Sequence, residues 1–232
     1  LMPGYRLAGG AWRSVYPTAL SASLRYPDRF GYFVRLDRRD PGLESHMRTI
    51  AAEPGARGFR VLATWSADEA EALASGGYDA LFDLAQDIGL PVCVFVPGHV
   101  ELLPRYLGKY PRLQVVLDHL GIGMPGHPQG RSADEEARTT DPAYLGEVLK
   151  LAEFPNLAIK ISHAPMLLRA GAYPFEAVRP QLRRAIEAFG VERLMWGSDA
   201  TVMPHYAWAD LLGYLRLDPE LMAEEERLLA ES

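Results

Sequence analysis

Only one cysteine occurs in the 232 residues, so no disulfide can form within the chain. That fits a reducing, cytoplasmic setting. Cys93 sits inside the apolar run Pro91-Val92-Cys93-Val94-Phe95-Val96, where a buried structural thiol is the expected role. No stretch approaches the roughly 20 apolar residues of a membrane span. There is no excess of basic residues. Lys and Arg number 24 against 30 Asp and Glu, a formal net charge of −6, so the electrostatic footprint of a nucleic-acid binder is missing. No G-x-G-x-x-G follows any strand-like run, which argues against a dinucleotide fold. No G-x-S-x-G surrounds a serine: in Trp196-Gly197-Ser198-Asp199 the glycine directly precedes Ser198, so a nucleophile elbow is rejected. What remains is an ordinary globular composition, 48% hydrophobic and 23% charged, long enough for one large α/β domain over 1–232.

The apolar runs are short and recur. Residues 30–36, 58–62, 91–96, 113–117, 157–161 and 192–197 read as strands, and between them lie helical segments. Ser66 with Glu69 makes a capping box, Gly89 a left-handed stop, and Asp141-Pro142 a favourable start. Further helices are expected over 175–189, 206–215 and 219–230, whereas 121–140 reads as one long loop and 1–22 shows no clear period. Continuous rather than alternating apolar strands are those of a parallel sheet covered on both faces. Repeated βα units of this kind close as a barrel or wind as an open sheet. Functional-looking residues end nearly every strand: Asp37, Arg60, His99, His119, His163 and Asp199. A ring of contributions from many strands is what the upper face of a barrel supplies. The expected fold is therefore α/β, a TIM-like (β/α)8 barrel that is incomplete, with about six βα units.

Asp199 directly follows the strand run that ends at Trp196-Gly197. There it can serve as a base or metal ligand, or it can cap the following turn. Asp118-His119 closes an earlier strand, and alternation would let only one of the two face a pocket. Arg60 ends another strand with a planar fork suited to carboxylates. His46 is expected on a solvated helix face.

Five motifs stand in a familiar order: Pro27-Asp28-Arg29-Phe30, Gly55-Ala56-Arg57-Gly58-Phe59-Arg60, Leu117-Asp118-His119-Leu120-Gly121, Lys160-Ile161-Ser162, and Arg193-Leu194-Met195-Trp196-Gly197-Ser198-Asp199. The order resembles the amidohydrolase-related family, the "amidohydrolase 2" branch of the amidohydrolase superfamily, and its lactonase-like members most of all. The resemblance implies a (β/α)8 barrel hydrolase acting on a small lactone, ester or amide. Asp199 would activate water, His119 would polarise the carbonyl, and Arg60, His99, Lys160 and His163 would contact substrate. Asp118 would then fix a neighbouring loop.

The family's first strand ends in a His-x-His pair that helps bind a divalent metal, and no His-x-His occurs here. The chain is accordingly expected to lack the first two βα units and to be a fragment. Asp199 would be a metal ligand only if that pair were supplied. The implied cofactor is one Zn or Mn ion, with metal-independent action as the alternative. Alternatives for function are a metal-dependent decarboxylase of the same family and a truncated, non-catalytic remnant. The expected partner is a small-molecule substrate, with no nucleic acid and no membrane. Open sheet edges favour a homo-oligomer.

Overall fold

The computed structural model describes residues 3–126 and 132–214. The expected helix over 219–230 lies outside the described residues, as does His127. Contacts divide the chain into two compact units, one of residues up to Phe95 with Leu102–Val116, the other of Val96–Glu101 with the described residues from Leu117 onward.

The first unit opens with an antiparallel hairpin, Gly4–Arg6 (β1) and Trp12–Ser14 (β2), which the sequence reading left as irregular. Its turn is made by Gly9 and Gly10, both at positive φ, a geometry glycine adopts without strain. The helix Pro17–Arg25 leads into Tyr32–Arg35 (β3), Ala56–Val61 (β4), Val92–Val94 (β5) and Val115–Leu117 (β6). The strands neighbour one another in chain order, and β3/β4 and β4/β5 pair in parallel. No order reversal of the doubly wound kind interrupts them. β5 and β6 are buried at every position, as their continuous apolar runs imply. The Ser66 hydroxyl accepts the Glu69 N–H and starts the helix Ala67–Ser75, which the left-handed Gly76 ends. His46 is not solvated as expected: its Nε2 is buried without a hydrogen-bond partner, and burial lowers its pKa.

In the second unit, Leu157–Ile161 (β7) and Leu194–Trp196 (β8) pair in parallel. The amphipathic helix Val178–Phe189 buries Val178, Leu182, Ala185 and Phe189. Burying each such side chain stabilises by roughly 1.5–3 kcal/mol. The segment expected as a loop over 121–140 instead contains the helix Ala133–Thr139. Ser132 and Glu135 form a reciprocal capping box there, a signal that stood in the sequence.

Candidate active site

Three side chains from the ends of three strands meet in the second unit. His119 follows β6, His163 follows β7, and Asp199 follows β8 by three residues. The His163 Nδ1 lies 2.7 Å from the Asp199 Oδ2, and the His119 Nδ1 lies 3.6 Å from the same oxygen. The two Nδ1 atoms are 3.2 Å apart, with the rings edge to face. Both imidazoles are buried, and Asp199 keeps 27% of its side chain exposed. Such a group is accessible to a small reactant yet shielded from bulk water.

The backbone explains how three strands deliver side chains to one point. His119 has φ 50°, His163 φ 59° and Asp199 φ 49°, all left-handed. Only six non-glycine residues among those described have positive φ, and these three are half of them. A side-chain-bearing residue in this region costs on the order of 1 kcal/mol or more, and such strain concentrates at functional sites. Each strand stops and the chain then turns left-handed, for two residues at His119-Leu120, bringing the three side chains together. Alternation therefore does not decide between Asp118 and His119, because the strand has already ended at Leu117.

Asp118 is held from a neighbouring strand. Its carboxylate, with no exposed surface, accepts the Lys160 ammonium hydrogen bond at 2.8 Å. Lys160 lies on β7, beside Gly197, so the pair ties the turn after β6 to the strand next to the cluster. His163, expected against substrate, contacts Asp199 directly. Ser162, which closes the Lys160-Ile161-Ser162 motif, places its Oγ 2.7 Å from the His119 Nδ1. The signal for it was its place between Lys160 and His163 at a strand end.

His99 is mostly buried, with its Nδ1 3.5 Å from the Glu101 Oε1 and its Nε2 without a partner. The Tyr144 hydroxyl donates to the Glu101 Oε2 at 3.2 Å. Burial raises the Glu101 carboxyl pKa, but bonds to His99, the Glu101 backbone and Tyr144 more than offset this and leave it below its ordinary value. Arg60 belongs to the first unit, on β4, with its guanidinium 5.9 Å from the Phe95 ring centre.

The cluster fits the donor set of a divalent metal. His119, His163 and Asp199 each offer one ligand atom, all within 4.8 Å of one another. Tetrahedral ligands at Zn–N and Zn–O distances of roughly 2.0–2.1 Å stand about 3.3 Å apart. The separations of 2.7, 3.2 and 3.6 Å bracket that value. Two imidazoles and a carboxylate are also the ligand chemistry zinc and manganese accept.

The amidohydrolase family model matches residues 11–228. L-fucono-1,5-lactonase of Burkholderia ambifaria is 29% identical over 168 residues, 71% of this chain and 52% of the lactonase. The chain thus spans about half the length of that curated relative. Among solved structures, an amidohydrolase of Burkholderia multivorans with bound zinc superposes with a TM-score of 0.63 at 22% identity, covering 91% of this chain and 70% of the other. A TIM-barrel protein of Bordetella bronchiseptica superposes with a TM-score of 0.56 at 18% identity, covering 98% and 75%. The α/β fold is therefore that of TIM-barrel proteins, with a six-stranded sheet among the described residues. With the family model spanning nearly all of it, the chain belongs to the amidohydrolase family.

Proposed function

We propose that the chain carries the reaction centre of a hydrolase that opens a small lactone or cleaves a related ester or amide. The observation that carries this reading is the meeting of His119, His163 and Asp199 on three left-handed strand ends. The likeness to L-fucono-1,5-lactonase supports a lactone as the substrate class.

Asp199 takes the proton of the attacking water and returns it to the departing oxygen. The 2.7 Å contact from His163 orients its carboxylate. With the His163 Nδ1–H given to Asp199, the His119 Nδ1 is the acceptor for the Ser162 hydroxyl. The His119 Nε2 then carries the ring proton and would donate it to a substrate carbonyl, stabilising the developing negative charge. A divalent cation would be held by His119, His163 and Asp199. When bound it supplies Lewis acidity and a more easily ionised water.

The test is product analysis with a panel of sugar-derived and dicarboxylate-derived lactones, with and without added zinc or manganese. Ring-opened acid as the product, dependent on Asp199, supports the reading. Carbon dioxide from a carboxylated substrate would replace it with a decarboxylase.

A further inference from the structure

One dipeptide at the end of β7 grips both of its neighbours in the cluster. Ser162 places its Oγ 2.7 Å from the His119 Nδ1, and His163 places its own Nδ1 2.7 Å from the Asp199 Oδ2. Ser162 and His119 are both buried. Ser162 is also held in place from β8. The Gly197 N–H donates to the Ile161 carbonyl at 3.1 Å, and a Cβ on Gly197 would lie 3.4 Å from the Ser162 Cβ. The direction of the Ser162 bond follows from its surroundings. An ionised carboxylate only accepts, so the His163 Nδ1 carries the proton given to Asp199. The His119 Nδ1 lies 3.2 Å from that N–H, and a second N–H there would face the first. It is therefore an acceptor, and the Ser162 hydroxyl is the donor.

An unprotonated imidazole nitrogen has a single in-plane lone pair. At the His119 Nδ1, that pair is the one a cation shared with the His163 Nδ1 and Asp199 would need, because these three atoms have the separations suited to one ion. A hydrogen bond from Ser162 and a bond to a cation therefore exclude each other at this atom. His163 meets a cation by moving its ring proton from Nδ1 to Nε2, an exchange within one neutral ring. His119 has to be released by another residue. Ser162 offers only a neutral hydroxyl, which is not among the ligand types that zinc favours, so its release is not offset by a strong new bond.

We infer that Ser162 is a selector of metal occupancy: its hydroxyl holds His119 in the Nε2–H tautomer and competes with a divalent cation for the His119 Nδ1. Ser162 acts through His119 and is a positioning residue. A centre built this way has its metal affinity lowered by the worth of one buried hydrogen bond. The inference rests on the reading of His119, His163 and Asp199 as the reaction centre and ligand set; it does not depend on which bond is hydrolysed.

The experiment is calorimetric titration of the 232-residue chain and of Ser162→Ala with zinc at one pH. It is paired with nitrogen NMR of histidine-labelled protein in chelator, the His119 signals being assigned through His119→Gln. Ser162→Ala is expected to bind zinc roughly three- to tenfold tighter, since one neutral hydrogen bond no longer has to be broken. In chelator the wild-type His119 ring should carry its proton on Nε2. Its Nδ1 resonance should move in Ser162→Ala toward that of a ring nitrogen without a donor. A merely structural hydroxyl would lower the unfolding midpoint on removal and would not tighten zinc. Zinc affinity that is unchanged or weakened in Ser162→Ala overturns the selector, as does zinc binding to neither protein. An unmoved Nδ1 resonance overturns it too. So does a wild-type His119 with its proton on Nδ1, a result that stands even if Ser162→Ala does not fold. If the wild type opens no lactone, with or without zinc, while Ser162→Ala still gains zinc affinity, the hydrolase reading falls and the selector stands.

Discussion

At the ends of β6, β7 and β8 the second unit gathers two imidazoles around one carboxylate; at the ends of β3 and β4 the first unit gathers guanidiniums around two. The two clusters are assembled differently. Arg35 and Arg60 need only parallel register, because adjacent positions on paired strands already share a face. His119, His163 and Asp199 cannot meet by register alone, and each leaves its strand through a left-handed residue. The first arrangement is cheap in conformational energy. The second is strained in backbone and complementary in charge. Strain is tolerated where several groups must converge on one reacting centre.

The largest effect that separates the clusters is on turnover. Asp199→Asn removes the proton acceptor while keeping shape, and the rate of lactone opening should fall roughly 10²–10⁴-fold, the range of general acid–base catalysis. Circular dichroism and the unfolding midpoint should stay near those of the wild type. Activity within a few-fold of normal would remove Asp199 from the chemistry and reduce the second cluster to a strained turn.

Metal addition is the next discriminator. A cation bound at 100 times its dissociation constant stabilises the folded state by about 2.7 kcal/mol. Zinc or manganese should raise the midpoint of the wild type and of Arg35→Gln alike. The shift should vanish in His163→Ala and His119→Ala. A shift that survives both histidine changes places any cation elsewhere than this cluster.

Much of this was legible beforehand, and the reason differs by region. All six strands of the βα series stood out, because continuous apolar runs such as Pro91 to Val96 and Leu113 to Leu117 have few other uses. His119, His163 and Asp199 were marked by their position after those runs. Their convergence was not, since nothing local announces a left-handed histidine, and alternation does not extend past the strand end at Leu117. The pairing of Arg35 with Arg60 depends on interstrand register, including a shift between Tyr32 and Phe33 that no single strand records. The hairpin at β1 and β2 escaped because its strands are three residues each, too short for a period to show.

Asp118→Ala tests how the strained cluster is supported. The change leaves Lys160, 31% exposed, without its carboxylate. Removing one partner of a fully buried pair costs roughly 3–5 kcal/mol. Because Lys160 can turn partly to water, about 2 kcal/mol is expected here, read as a lower midpoint in chemical denaturation. Gly121→Ala should act in the same direction: Gly121 has φ +64°, and a Cβ there would lie 2.7 Å from Val100 and 2.9 Å from Leu117.

The smallest effect concerns Asp37 and is visible only in acid. Burial alone would raise its pKa, but the side-chain and backbone hydrogen bonds from Arg39 and the Trp12 N–H outweigh that and hold it below its ordinary 3.8. A carboxyl whose folded pKa is depressed stabilises the protein fully above its unfolded pKa, and that contribution is lost as pH falls through the folded value. Asp37→Asn should therefore lower stability at pH 7 by on the order of 1 kcal/mol, the net worth of a charge-assisted bond. Below the folded pKa of Asp37 the wild type and the variant should converge. Stability curves from pH 7 down to about 2 would show the two lines closing. A gap that stays constant across that range would mean Asp37 contributes through shape and neutral hydrogen bonds, not charge.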